Sequence, residues 1–142
     1  MADIKFKGKF YVEGSAKGKL VKSDRPISFW GGLDPVAGKI IDKRSDIYGR
    51  TISDRILAFP EGIGSSTTSA VLLESVLNET NPLALINVTT EPILVSGALV
   101  AKEFYGTEIP VVSLGAADYE QLTDGAELVV DGERKTVTLI ND

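Results

Sequence analysis

The fold prediction rests on residues 56–88, whose sequence is ILAFPEGIGSSTTSAVLLESVLNETNPLALINV. The short apolar run at 56–59 predicts a buried strand, and the proline and glycines that follow predict a loop over 60–65. A helix is expected to run to about Glu79, capped by the hydroxyl of Ser66 or of a neighbouring residue, because apolar residues recur there at helical spacing. The apolar run at 83–88 predicts the next strand. The segment is therefore a strand–helix–strand unit.

The same alternation continues towards the C-terminus. Thr89 or Thr90 is expected to cap a second helix, which has Pro92 near its first position and ends close to Gly106. Three further elements are predicted after it: a strand at 109–114, one helical turn at 118–122, and a β-hairpin over 127–140 that turns at Asp131-Gly132.

The N-terminal part shows a pattern of strands rather than of alternating strands and helices. Residues 4–21 alternate apolar and polar side chains around glycines and predict two twisted strands. A short strand is also expected at 39–41. Strand–helix–strand units imply parallel pairing with right-handed crossovers, and the flanking strands would wrap against them. We therefore expect one α/β domain over residues 1–142, three-layered or barrel-like.

The composition excludes several classes of partner. The 142 residues carry a net charge of −5, whereas a nucleic-acid partner requires a basic surface to neutralise phosphates. The best apolar candidate for a membrane span, 83–101, is interrupted by Asn87, Glu91 and Pro92. The N-terminus lacks the apolar core of a signal peptide. We expect a cytoplasmic protein that has neither nucleic acid nor a membrane as a partner.

Cysteine and histidine are both absent. Zinc sites, thiolate nucleophiles and Ser-His-Asp triads each require at least one of them, so no metal site is expected in this chain. The chemistry left to the remaining residue types fits an accessory half of an active site better than a self-sufficient enzyme.

Residues 62–69, GIGSSTTS, form the segment best suited to chemistry. They join a predicted parallel strand to a helix, and open α/β sheets bind ligands at the carboxyl ends of their strands. No lysine follows the glycines as in a Walker loop, and Thr67 occupies the final glycine position of the dinucleotide fingerprint. Three interpretations remain open: a structural turn with a helix cap, anion binding at the helix start, and a serine, Ser65, that acts directly in catalysis.

Residues 26–35, PISFWGGLDP, hold the only tryptophan of the chain beside paired glycines. Taken by itself, this pattern indicates that Trp30 is a buried aromatic anchoring a turn that the glycines permit. Asp34 is well placed to cap a turn before Pro35.

Together, residues 26–35 and residues 62–74, GIGSSTTSAVLLE, resemble the small subunit of the aconitase X family, and the similarity continues through 81–84 and 91–94. The resemblance implies a swivelling β/β/α domain that corresponds to the mobile last domain of aconitase. It also implies a larger partner subunit that holds a [4Fe-4S] cluster through its own cysteines. This chain would then carry no cofactor itself.

The resemblance further implies roles for individual residues. The family serine that removes a proton from carbon, while the cluster takes the departing hydroxyl, falls on Ser65. Three other loop residues, Gly64, Ser66 and Thr67, would contact a small anionic substrate. Two residues of the first segment, Trp30 and Asp34, would shape the site or the interface with the partner.

One position departs from the wider aconitase pattern, where an arginine follows the paired serines and this chain has Thr67. Arg50 and Arg55 are conceivable substitutes for that arginine, although each is expected to be a surface charge.

The family includes dehydratases of 5-phosphomevalonate and of hydroxyproline. Because hydroxyproline-type relatives often have the two parts fused, the short separate chain favours 5-phosphomevalonate, with cis-3-hydroxyproline as the alternative. Two hypotheses of other classes remain: a non-catalytic swivelling regulatory module, and a small-anion binder that acts alone.

Overall fold

The computed structural model describes residues 2–63 and 67–141. Within those ranges the elements in chain order are β1 (Ile4–Lys7), β2 (Lys9–Val12), β3 (Ser15–Lys22), β4 (Leu33–Asp34), β5 (Lys39–Ile40), β6 (Ile56–Ala58), α1 (Thr67–Leu77), β7 (Ala84–Asn87), α2 (Pro92–Tyr105), β8 (Val111–Ser113), α3 (Ala116–Glu120), β9 (Glu127–Asp131) and β10 (Thr136–Leu139).

Strands β3, β6, β7 and β8 lie side by side and run parallel. Helix α1 connects β6 to β7, and α2 connects β7 to β8, as parallel pairs require of their crossovers. The strand–helix–strand prediction for 56–88 is therefore confirmed, although the proposed cap, Ser66, lies outside the described residues. The later predictions of β8, α3 and the β9–β10 hairpin are confirmed as elements. Helix α3 begins two residues earlier than expected, and the hairpin turns over residues 132–135 because Asp131 still pairs with Thr136.

Eight of the strands form one sheet in the order β1-β10-β9-β3-β6-β7-β8-β2. Its two edge strands, β1 and β2, are joined by Gly8 alone, so the sheet curls into a nearly closed barrel. At this seam a Cβ on residue 8 would lie only 2.4 Å from Cγ2 of Val112, which explains the glycine. The barrel-like α/β prediction is confirmed.

The prediction of two N-terminal strands is wrong, because residues 4–21 contain β1, β2 and all of β3 except its last residue. Gly8 allows the chain to change partners: β1 pairs with β10, whereas β2 pairs with β8 on the other side of the seam.

The predicted cap of α2 is also wrong. Neither Thr89 nor Thr90 caps the helix; the carboxylate of Glu91 accepts hydrogen bonds from the backbone N–H groups of Ile93 at 2.8 Å and Leu94 at 3.1 Å. Thr89 is held in an extended bridge to Glu61, so the chain cannot turn into a helix until two residues later. The other end is as expected, since Gly106 adopts the left-handed conformation with φ 64°.

Side chains of the parallel strands alternate between two apolar cores. Leu57 and Leu85 belong to the core that also contains the buried faces of α1 and α2. Ile56 and Ile86 belong to the barrel interior, where Tyr119 of α3 packs with them. The helices and the barrel interior therefore pack on opposite faces of the same parallel strands. The loops that follow these strands lie at their carboxyl ends.

Candidate functional site

The loop that follows β6 is held on both sides at the carboxyl edge of the parallel strands. The carbonyl of Pro60 accepts hydrogen bonds from the backbone N–H groups of Val88 at 2.9 Å and Thr89 at 3.0 Å. On its other side, the N–H of Ile27 donates to the carbonyl of Glu61 at 3.2 Å, and the N–H of Ile63 donates back to the carbonyl of Ile27 at 2.9 Å. The backbone is therefore fixed up to Ile63, directly before the glycine–serine segment.

Three of the predicted site residues, Gly64, Ser65 and Ser66, lie outside the described residues. Thr67 is the first residue of α1 and is partly exposed. The side chain of Ile63 is 56% exposed, so the chain reaches the surface where the segment begins. Residues 64–66 are therefore bracketed by a fixed strand-end loop and by the first turn of a helix.

Buried polar atoms gather on the elements that leave this edge. Asn87, the last residue of β7, is fully buried and donates from Nδ2 to the carbonyl of Phe59 at 3.0 Å. Its Oδ1 has no hydrogen-bond partner among the described residues, and neither do Oγ1 of Thr68 and Oγ1 of Thr90. Sequence reasoning missed Asn87, although an asparagine that closes an otherwise apolar strand was a visible signal.

Trp30 is not buried, so the prediction of a buried anchor is wrong at that position. Its neighbour Phe29 is 1% exposed and packs against Phe59 with ring centroids 5.8 Å apart, whereas Trp30 is 66% exposed. Adjacent residues point to opposite sides here, and only Phe29 faces the core. The exposed indole remains available for the interface role that the resemblance implies.

Asp34 caps a turn, as the sequence predicted. Its Oδ1 accepts hydrogen bonds from the backbone N–H groups of Val36 at 2.9 Å and Ala37 at 3.1 Å. Among the described residues, Asp34 forms no hydrogen bond or ion pair with the loop after β6. The segment is brought to that loop instead by Ile27, which pairs with Gly62 in a parallel bridge.

The two candidate arginines are engaged elsewhere. Arg50 pairs with Asp124 through Nη1 and Oδ2 at 3.0 Å and through Nη2 and Oδ1 at 3.2 Å. Partial burial works to raise the pKa of Asp124, but the Arg50 pair and the backbone N–H of Lys22 outweigh it and lower that pKa. Arg55 donates to the carbonyl of Ser53 at 3.3 Å. Neither guanidinium is directed to the loop by these contacts.

A groove of about 310 Å³ opens beside Ile63. Ile27 and Ile40 form its apolar wall, and Arg25 and Arg44 lie on its rim. Sequence reasoning did not single out these arginines, because they belong to the long connection between β3 and β6 and meet only in the folded chain.

A buried hydrogen-bond network fastens that connection to the barrel. Ser23, which is fully buried, contacts Oδ1 of Asp46 through its hydroxyl at 2.5 Å. The carbonyl of Ser23 accepts a hydrogen bond from the phenol of Tyr119 at 2.7 Å. Burial raises the pKa of Tyr119, and the charges of Asp24 and Asp46 raise it further. The network was not foreseen, since its members are spread over almost a hundred residues.

Over residues 2–63 and 67–141, none of the helices combines the length and the apolar character that crossing a membrane demands.

Comparison with known proteins shows which family this chain resembles in sequence and fold. The model of the aconitase X swivel domain matches residues 5–139. The chain is 42% identical over 137 residues to the phosphomevalonate dehydratase small subunit of Pyrococcus furiosus, covering 96% of each chain. It is 41% identical over 137 residues to the cis-3-hydroxy-L-proline dehydratase of Hypocrea jecorina, covering 96% of this chain but only 23% of that protein's length.

A solved structure agrees with these matches. The crystal structure of Thermococcus kodakaraensis aconitase X in its holo form superimposes with a TM-score of 0.87 at 34% identity, covering 97% of this chain and 99% of the matched chain. Fold and sequence thus agree, and the chain belongs to the aconitase X swivel-domain family.

Proposed function

We propose that this chain is the small subunit of a hydro-lyase that dehydrates 5-phosphomevalonate together with a larger subunit. The observation that carries the proposal is the 42% identity to an archaeal phosphomevalonate dehydratase small subunit, spread over 96% of the chain. The position of the glycine–serine segment supports it, because this segment follows β6 at the carboxyl edge of the parallel strands, where α/β folds bind ligands.

In this proposal Ser65 accepts the proton that leaves the substrate carbon. A serine hydroxyl is a weak base near neutral pH, so its alkoxide requires stabilisation by dipoles or positive charge. The first turn of α1 begins at Thr67, and the unpaired N–H groups of a helix start carry a partial positive charge. Since the sequence has no histidine, these dipoles and groups on the partner are the means of activating Ser65.

The remaining predicted residues take supporting roles in the proposal. Thr67 and Ser66 donate hydrogen bonds to the substrate, and Gly64 allows its close approach to the backbone. Trp30 is assigned to the interface, because an indole that is 66% exposed is typical of a side chain that a partner covers. Asp34 shapes the neighbouring turn.

The proposal assigns the iron–sulfur cluster to the larger subunit. Such clusters are held by cysteine thiolates, and the sequence contains no cysteine. The part of the chain that the structure describes holds no group of three or more acidic side chains suited to a metal ion. When bound by the partner, the cluster supplies the Lewis acid for departure of the hydroxyl, and this chain contributes proton transfer and substrate contacts.

Cis-3-hydroxyproline is the second candidate substrate. The 41% identity to the fungal hydroxyproline dehydratase equals, in practice, the identity to the archaeal small subunit, so overall similarity does not separate the two. Both substrates carry a carboxylate and lose water, and the same serine would serve either.

Reconstitution tests the proposal. The purified chain is mixed with its large subunit, 5-phosphomevalonate and cis-3-hydroxyproline are supplied in separate reactions, and the dehydrated product is measured by mass spectrometry. We expect only the mixture to act, and only on 5-phosphomevalonate. Turnover of hydroxyproline alone would establish the second candidate instead. Equal turnover by the large subunit alone would make this chain a non-catalytic module, and activity of this chain alone would overturn the two-subunit proposal.

A further inference from the structure

We propose that the groove lined by Arg25, Ile27, Ile40, Arg44 and Ile63 binds a phosphate monoester group through its two guanidinium groups. The inference rests on the proposed function, since it assigns a place to the phosphate of the substrate, but the two arginines that carry it are remote in sequence from Ser65. These arginines belong to the connection between β3 and β6.

The two arginines are held together by the backbone. Nη1 of Arg25 donates to the carbonyl of Arg44 at 3.4 Å, so both residues reach the same rim of the groove. Arg25 has no carboxylate within ion-pair distance among the described residues. In a chain whose net charge is −5, an arginine without an acidic partner is available to a ligand.

Arg44 is partly neutralised but remains accessible. Its Nε lies 3.3 Å from Oδ1 of Asp42, and its side chain is 90% exposed. Asp42 is the one carboxylate among the residues that line the groove, against two guanidinium groups. The backbone N–H of Arg44 and then its guanidinium lower the pKa of Asp42, so the pair remains ionised and the lining keeps one net positive charge.

The shape of the groove suits a small anion. Its volume of about 310 Å³ falls at the lower end of the range of small-ligand pockets. Guanidinium groups present N–H donors in a planar fork that matches the oxygens of a phosphate. The buried side chains of Ile27 and Ile40 provide an apolar wall on one side of the groove.

The groove is connected to the proposed catalytic loop through the backbone at Ile63. Ile63 lines it and donates its N–H to the carbonyl of Ile27 at 2.9 Å. A phosphate seated between the arginines would therefore lie beside Ile63, the last described residue before the glycine–serine segment. In this proposal the groove holds the phosphate end of the substrate.

Phosphate binding by the full chain tests this inference without the partner. Backbone amide shifts are recorded by NMR during titration with inorganic phosphate, phenyl phosphate and acetate, with sodium chloride keeping the ionic strength constant. We expect saturable shifts for both phosphates around residues 25–28, 42–45 and 63, and an affinity at least about tenfold lower for acetate.

Variants identify the responsible side chains. The double variant R25Q/R44Q should lose the saturable shifts, and R25K should retain weakened binding because lysine keeps the charge without the fork. The control R134Q changes an arginine of the β9–β10 turn and should bind as the unchanged protein does. Ser65→Ala should also bind phosphate normally, so failure of the dehydratase proposal and failure of this one are distinguishable.

Three results would overturn the inference. The first is undiminished phosphate binding by R25Q/R44Q with shifts at the first amides of α1, which would place the anion at the helix start. The second is equal affinity for acetate, which would make the groove a carboxylate site. The third is the absence of saturable shifts, which would show that phosphate acts on the chain only by screening its charges.

Discussion

The phenol of Tyr119 donates a hydrogen bond of 2.7 Å to the backbone carbonyl of Ser23. This contact joins α3 to the first residue after β3, where the long connection that carries the arginine groove begins. Ser23 is fully buried and Tyr119 is 4% exposed, so solvent cannot take the place of the phenol at this carbonyl. The contact therefore helps to fix the base of the groove on the barrel.

Tyr119→Phe should lower the free energy of unfolding by about 1–2 kcal/mol, because a buried carbonyl loses its partner without compensation. Denaturant unfolding at neutral pH measures the change. Tyr48→Phe is the matched control, since Tyr48 is 52% exposed and its substitution should have little effect. Equal stability of Tyr119→Phe and the unchanged protein would show that the buried contact contributes nothing.

The same tyrosine should make stability fall in alkali. Burial raises the pKa of Tyr119, so the folded state favours the protonated phenol. Its contribution is fully present below the unfolded pKa of about 10 and is lost as pH rises from there towards the folded value. The stability difference between the unchanged protein and Tyr119→Phe should be constant from neutral pH to about 9 and shrink above about 10. A difference that grows with pH would contradict the assigned direction.

Glu91→Ala should destabilise the protein by about 1 kcal/mol, the usual effect of losing an N-cap. Both carboxylate oxygens of Glu91 accept hydrogen bonds from the first turn of α2. Glu103→Ala, in the exposed last turn of the same helix, is the control and should be neutral or slightly stabilising because of the helix dipole. Thermal unfolding of both variants decides the matter, and similar melting temperatures would count against the cap.

Gly132→Ala should destabilise by more than about 2 kcal/mol, since overpacking against backbone cannot relax by a rotamer change. A Cβ at residue 132 would lie 2.5 Å from the carbonyl oxygen of Gly14. At Gly115 an added Cβ meets no atom of the described residues within 4 Å, so Gly115→Ala is the control. Comparable unfolding midpoints in urea for the two variants would show that the barrel tolerates the closer approach.

The central unit of the fold could be predicted because its signals are local. Apolar spacing in 56–88 specifies a strand, a helix and a strand whatever the rest of the chain does. The closure of the barrel could not be predicted in this way. It depends on Gly8 separating two strands whose partners, β10 and β8, are remote in sequence.

The candidate site, too, could be predicted only where its signals lie in adjacent residues. The glycine–serine loop and the turn at Asp34 are visible as patterns of adjacent residues. Phe29 and Trp30 are also adjacent, but only the tertiary packing decides that Phe29 is buried and Trp30 exposed. Arg25 and Arg44 are nineteen positions apart and share a groove only because the connection folds back on itself. Glu91 replaced the expected threonine cap because a bridge to Glu61 holds Thr89 extended.

The most direct test of the account is the turnover number of the reconstituted enzyme after Ser65→Ala, with Ser96→Ala as control. Ser96 is exposed on α2, and within residues 2–63 and 67–141 its hydroxyl donates a hydrogen bond to the carbonyl of Pro92 and to no other group. If Ser65 accepts the substrate proton, Ser65→Ala should reduce turnover by about 100-fold or more while subunit assembly and the unfolding midpoint stay unchanged, and Ser96→Ala should behave as the unchanged enzyme. Full turnover by Ser65→Ala would contradict the catalytic role of this residue.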